Sequence, residues 1–128
     1  MLDALHRDIT WATLEHGMRG LSDRGSAVAE NVANAMTPGY HRREVDFASG
    51  LREALAKSGD RGSVSNDVRD SEIASYVIKD EAFRNDLNGV DMMAEMALST
   101  RISLDRAMSV SLMQEKLRMY KMVIRSGR

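Results

Sequence analysis

Two long stretches of helical apolar spacing flank a polar middle. In the first stretch, apolar or small residues fall at Trp11, Leu14, Met18, Leu21, Gly25, Val28, Val32 and Ala35, at alternating intervals of three and four. That rhythm draws one seam along a helix and predicts a helix over 1–36. Gly17, Gly20 and Gly25 interrupt it, each costing about 1 kcal/mol relative to Ala. Small residues on a seam mark either a frayed stretch or the close approach of another backbone. The helix is expected to stop near Ala35, because Pro38 lacks an amide hydrogen and pushes Thr37 toward an extended conformation. Pro38-Gly39 then fits the centre of a type II turn, with Gly supplying the positive φ.

Beyond the turn, Phe47, Leu51 and Leu55 recur every fourth residue and predict a short helix over 46–57. From 58 to 88 the pattern fades. Ser58 to Ser63 is turn-like and polar, and Asn66-Asp67 continues it. Ile73 to Ile78 fits a short strand, while Glu72 to Arg84 fits a weak helix. So little apolar content cannot offset an ordering cost of about 1–2 kcal/mol per residue. The middle segment is therefore expected to be irregular or partly mobile unless a partner holds it.

The last stretch, 89–128, is helical again. Asn88 is a natural N-cap, and Asp91 three residues later suggests a capping box. One stripe runs through Met93, Ala97, Leu104, Met108, Leu112, Met119 and Val123, and a second through Val110, Met113, Leu117, Tyr120 and Ile124. They overlap from Leu112 onward, leaving most of the circumference apolar, which is the pattern of a buried helix. The chain offers one other long helix to cover it, of about 50 Å against about 57 Å for the last at 1.5 Å per residue. Two helices cannot enclose a core. The fold class is all-α, and the outer stripe calls for other subunits. Seven of the ten Met lie in 92–122, which suits packing against slightly different neighbours.

Composition narrows the chemistry. At 128 residues the chain suits one domain, and a net charge of −1 argues against a nucleic-acid binder. With no Cys, disulfides, thiolate metal sites and a cysteine nucleophile are excluded. No window is apolar for long enough to span a membrane, and no cleavable leader is expected. His6, His16 and His41 show no ligand spacing and read as isolated surface side chains. No metal, cofactor or catalytic residue is expected, although a small helical enzyme would leave no spacing signature. After Glu115 there is no acid, while Lys116, Arg118, Lys121, Arg125 and Arg128 follow. Those cations complement the helix dipole. The other reading is a basic amphipathic-helix module docking on a membrane or an acidic protein partner.

The run Ala29-Glu30-Asn31-Val32-Ala33-Asn34-Ala35-Met36-Thr37-Pro38-Gly39-Tyr40 closely resembles the A-x-N-[IV]-A-N-x-x-T-P-G-Y signature of bacterial flagellar rod and hook proteins. Arg43, Phe47 and the stretch Leu87-Asn88-Gly89-Val90-Asp91 leading to Glu95-Met96 look like that family's second signature, usually D-G-N-x-V-D followed by E-M. This chain places Asn before Gly there. Its length leaves no room for the large middle domains of distal rod and hook proteins, which favours a short proximal rod protein.

The resemblance implies long N- and C-terminal helices paired antiparallel, coiled-coil-like, with 37–88 projecting between a helix over 1–36 and another over 89–128. It implies a structural, non-enzymatic subunit of the flagellar basal body that transmits torque, encloses the export channel and is needed for assembly and motility. The expected partners are its own copies in a helical array, other rod proteins, the rod adaptor subunit and the export gate, with no nucleic acid and no membrane span. Its expected place is the periplasmic side of the basal body, reached by flagellar type III export without a cleavable signal. Asn31, Ala33, Asn34, Thr37, Pro38, Gly39 and Tyr40 are the expected turn motif, with Asn31 and Asn34 bonding backbone near the helix end. The expected subunit interface comprises Leu14, Met18, Leu21, Val28 and Val32 on the first helix. On the last it comprises Met108, Leu112, Met113, Leu117, Met119, Tyr120, Val123 and Ile124.

Overall fold

The computed structural model describes residues 8–57, 60–79 and 87–126. Its elements run α1 (Ile9–Ala33), β1 (Arg43–Asp46), α2 (Ala48–Ala56), α3 (Arg61–Asp70), β2 (Ala74–Val77) and α4 (Met92–Ser126). The chain is mostly helical, with one small antiparallel sheet pairing Arg43 with Val77 and Asp46 with Ala74. Helix α1 starts where Asp8 accepts from the amides of Thr10 and Trp11, at 2.9 and 3.3 Å. It ends at Ala33, three residues short of the predicted bound, because Asn34 leaves helical geometry as the C-cap. Residues 1–7 of that prediction lie outside the described residues.

Helices α1 and α4 pack antiparallel. Glu95 meets Asn31, Arg106 meets Leu21, and Tyr120 meets Asp8. Leu21, Val28 and Ile102 form the buried centre of this pair, flanked by Phe47 and Leu98. Two of the three α1 glycines are close approaches: a Cβ on Gly20 would lie 2.2 Å from Phe47 Cγ, and one on Gly25 would lie 2.9 Å from the Arg106 guanidinium. Gly17 faces open space.

The middle departs from the expected irregular stretch. Helix α3 forms where turns were expected, because Asp60 caps it through the Ser63 amide at 3.1 Å. Its Val64 and Val68 close a second apolar cluster with Ala12 and Ala54. Strand β2 falls within the expected 73–78, and through residue 79 no helix forms in its place. The second helix begins at Ala48 because the Asp46 carboxylate takes the amides of Ala48 and Ser49.

His16 also departs from expectation. It is fully buried rather than on the surface. Its Nε2 lies 3.2 Å from the Phe47 carbonyl and its Nδ1 lies 3.0 Å from the Ser71 hydroxyl. Among the described residues, no helix is long and apolar enough to cross a membrane.

Candidate assembly site

The end of α1, the turn behind it and the start of α4 meet in a polar junction. Thr37 to Tyr40 closes as expected: Gly39 has φ +70°, and the Tyr40 amide donates to the Thr37 carbonyl at 3.3 Å. Asn34 fastens the turn to the helix, donating to the Glu30 carbonyl at 2.9 Å and accepting from the Thr37 hydroxyl at 3.2 Å. Asn31, 0% exposed, uses all its hydrogen-bonding capacity. Its Nδ2 donates to the Arg43 carbonyl at 2.9 Å and to Glu95 at 3.2 Å. Its Oδ1 accepts from the Arg43 amide at 2.9 Å and from the Tyr40 hydroxyl at 3.1 Å. One side chain thus ties α1 to the turn, to β1 and to α4.

Glu95 is the charge at the centre, 1% exposed. Arg42 meets it through Nε at 2.5 Å and continues to Glu44 at 3.2 Å. Burial opposes the Arg42 charge, but the hydrogen bond and charge of Glu95 hold its pKa above the ordinary value. Burial, followed by the charge of Glu30, pushes the Tyr40 phenol up.

Asn88 completes the junction in a role different from the expected N-cap. Its Nδ2 donates to the carbonyls of Asn34 and Thr37 at 3.0 and 2.8 Å, while its Oδ1 accepts from the Val90 amide at 2.8 Å. The Gly89 amide donates to the Tyr40 carbonyl at 3.0 Å. The α4 cap is Asp91, which takes the amides of Met93 and Ala94. Leu87 has φ +60°, a left-handed backbone that favours glycine. Aligned on Asn88, the run Asp86 to Asp91 matches D-G-N-x-V-D with Leu87 at the Gly position. The motif is therefore in register, with one substitution at its strained residue, rather than reordered.

No protein-family profile matches the chain. It is 26% identical to the flagellar basal body rod protein FlgB of Aeromonas hydrophila over 121 residues, covering 89% of this chain and 91% of that protein. It is 38% identical to the FlgB of Escherichia coli K12 over 64 residues, which is 50% of this chain and 45% of that protein. It is 45% identical to the flagellar hook protein FlgE of Brucella abortus over 53 residues, covering 41% of this chain. The chain spans 13% of that hook protein and less than half of the Escherichia coli rod protein. The chain is a relative of the FlgB-type flagellar rod proteins.

The expected interface residues divide into three groups. Leu21 and Val28 are buried by the chain's own Ile102, so the helix pair itself occupies them and they are not free to meet another subunit. Leu14, Met18, Val32, Met113, Leu117 and Tyr120 are half-buried along the pair. Met18 and Met113 line an open groove of about 530 Å³ with Glu15, Arg19, Ser22 and Arg106. Met108, Leu112, Met119, Val123 and Ile124 are exposed, in line with Met93 at 78% and Leu104 at 66%. Of the turn residues, Asn31 is buried and Asn34 and Tyr40 are half-buried, whereas Ala33, Thr37, Pro38 and Gly39 face outward.

Tyr120 is also a tie within the chain. Its hydroxyl donates to the Asp8 carboxylate, which Lys116 Nζ meets at 2.9 Å. Burial works against the Asp8 charge, yet Tyr120 and Lys116 bring its pKa down to about 2. The hydrogen bond to Asp8, with burial, pushes Tyr120 up to about 12. Arg42, Glu95, Asn88, Asp8 and His16 escape a reading by spacing because their partners lie far away in the chain. The E-M element of the second signature was the one pointer to Glu95. Among the described residues, no group of three or more His, Asp or Glu is placed to hold a metal.

Proposed function

We propose that the chain is a structural subunit of the flagellar basal body, part of the proximal rod that transmits torque and encloses the export channel. Its partners in this reading are further copies in a helical array, other rod proteins, the rod adaptor subunit and the export gate. The reading places it on the periplasmic side, delivered by flagellar type III export, and makes it necessary for flagellum assembly and motility.

The observation that carries the reading is the outer face of α4. Met93, Leu104, Met108, Met122 and Val123 lie along it, each 60–78% exposed. Contiguous apolar surface of this kind marks an interaction site. A head-to-tail contact that does not close generates a helical stack. The fastened junction at the other end would fix where the middle segment departs from the helix pair.

The test is complementation of a non-motile strain lacking its own rod subunit. Wild-type chain should restore complete basal bodies and swimming, and a Leu104→Asp, Met108→Asp variant should not, at equal abundance. Swimming with that variant would contradict the reading. The exposed cations Arg118, Lys121 and Arg125 on the last turns favour the second reading, docking on an anionic membrane. That reading instead requires salt-sensitive co-sedimentation with anionic vesicles.

A further inference from the structure

Helix α3 lies over the N-terminal half of α1, held by small side chains and polar fasteners. Its buried apolar contact consists of Ala12, Ala54, Val64 and Val68, with Ile9 and Leu51 half-buried beside them. The remaining bonds are polar. Ser71 and the Phe47 carbonyl take the two nitrogens of His16. Arg69 Nε meets Glu15 at 3.3 Å, and the Arg19 guanidinium donates to the Arg69 carbonyl. Water can replace most of these bonds, and a contact of small side chains loses little on parting. Such contacts open locally well before a chain unfolds. On the same α1, the α4 contact rests on Leu21, Val28 and Ile102, with Arg106 bonding the Leu21 carbonyl at 3.0 Å. Both caps of α3, Asp60 and Ser71, are extended, so the helix is joined at each end through non-helical backbone.

We propose that α3 is a detachable strap: it covers the Ile9–Ala12–His16 face of α1 in the free subunit, and its release opens that face to the α4 stripe of a second copy. The inference rests on the assembly reading above. Charge favours this occupant. From Asp8 to Asp23, α1 carries Asp8, Glu15 and Asp23 against Arg19, and strap release frees Glu15 from Arg69. Beyond Glu115, α4 carries cations and no acid; Lys116 is held by Asp8 and Arg118 pairs with Glu115 at 3.4 Å, while Lys121 and Arg125 are exposed around Met119, Met122 and Val123. The small Ala12 face also leaves room for flexible Met side chains. The face of one copy and the stripe of the next are different surfaces, so the contact repeats without closing. With the strap shut, a subunit has one of the two surfaces and cannot extend a stack.

The full chain contains no Cys, so a Glu15→Cys, Arg69→Cys variant can be joined across the lost ion pair by a reducible thiol cross-linker. Sedimentation velocity should show association at least about tenfold weaker for the cross-linked form, restored by reduction. Independently, the wild-type α3 amides should exchange with deuterium about a hundredfold faster than α1 amides between Leu21 and Val28. Cross-linked protein that associates as well as its reduced form, or α3 amides as protected as those of α1, would overturn the strap. If α3 exchanges fast but neither wild-type nor reduced protein associates, the assembly reading fails, and the docking half of the strap proposal fails with it.

Discussion

The two ends of the α1–α4 pair are built on opposite terms. At the junction end, Asn31, Asn88 and Glu95 are buried and each has named partners drawn from the turn, β1 or α4. At the other end, residues 121–126 of α4 are exposed, and among the described residues the last polar tie toward α1 is the Asp8–Tyr120–Lys116 cluster. A buried polar group without a partner is costly, so the junction's geometry is fixed by the need to satisfy all of them at once. An exposed apolar stripe imposes no such condition on one chain. The first end is complete in a single copy; the second leaves its apolar stripe open.

The largest expected effect lies at the junction. Glu95→Ala leaves Arg42 and the Asn31 amide without their shared acceptor. It should lower stability by about 2–4 kcal/mol, the lower part of the range reflecting Arg42's remaining bond to Glu44. Urea unfolding followed by the fluorescence of Trp11, the single tryptophan, reads this. A change near zero would mean that the junction is not the fixed end. Next comes the turn. Pro38→Ala with Gly39→Val forces a β-branched residue to φ +70° and should cost about 1–2 kcal/mol. Because a Cβ on Gly39 meets nothing within 4 Å, the cost is backbone strain rather than a clash. The expected outcome is impaired assembly and motility; normal swimming would remove the turn from the assembly site.

The far end should respond to pH. The folded pKa of Asp8, about 2, is below its ordinary 3.8, so its contribution is fully present above about pH 4 and is lost as pH falls toward 2. Tyr120 works in the other direction: its folded pKa, about 12, exceeds its ordinary 10, so stability is lost as pH rises from 10 to 12. Allowing for solvent screening, the Asp8 window is worth on the order of 1 kcal/mol. Asp8→Asn should reduce the acid-side loss in a titration followed by Trp11 fluorescence, leaving the share that Asp46 contributes through its bonds to Ser49 and Ala48. An unchanged acid limb in that variant would dismiss the tie. The smallest effect returns to the junction: Leu87→Gly relieves the left-handed backbone of an exposed residue but adds freedom to the unfolded chain. A net gain of about 0.5 kcal/mol is expected in the same urea assay. A loss would mean that Leu87 packs to more purpose than its exposure suggests.

Periodicity made α1, the turn and α4 legible, because long amphipathic helices repeat their signal many times. It could not reveal α3, whose Arg61–Asp70 stretch has Val64 and Val68 as its only aliphatic side chains and depends on Ala12 and Ala54 to bury them. His16 looked like a surface side chain because its partners, Phe47 and Ser71, lie 31 and 55 residues away. Asn88 has the residue type of an N-cap, yet the neighbouring turn offers it two carbonyls and Asp91 is better placed to cap α4. The seam spacing picked out Leu21 and Val28, which Ile102 of the same chain covers. Spacing identifies an apolar face; it does not identify what covers that face.

Sedimentation velocity of the purified chain across a wide concentration range, beside a Met108→Asp, Val123→Asp variant, tests the incomplete end most directly. Wild-type protein should associate progressively with concentration. The variant should remain monomeric with unchanged helicity and a stability change within about 0.5 kcal/mol, as expected of exposed positions. A wild-type chain that stays monomeric throughout, or a variant that associates equally well, would contradict the claim that the α4 stripe exists to be covered by another subunit.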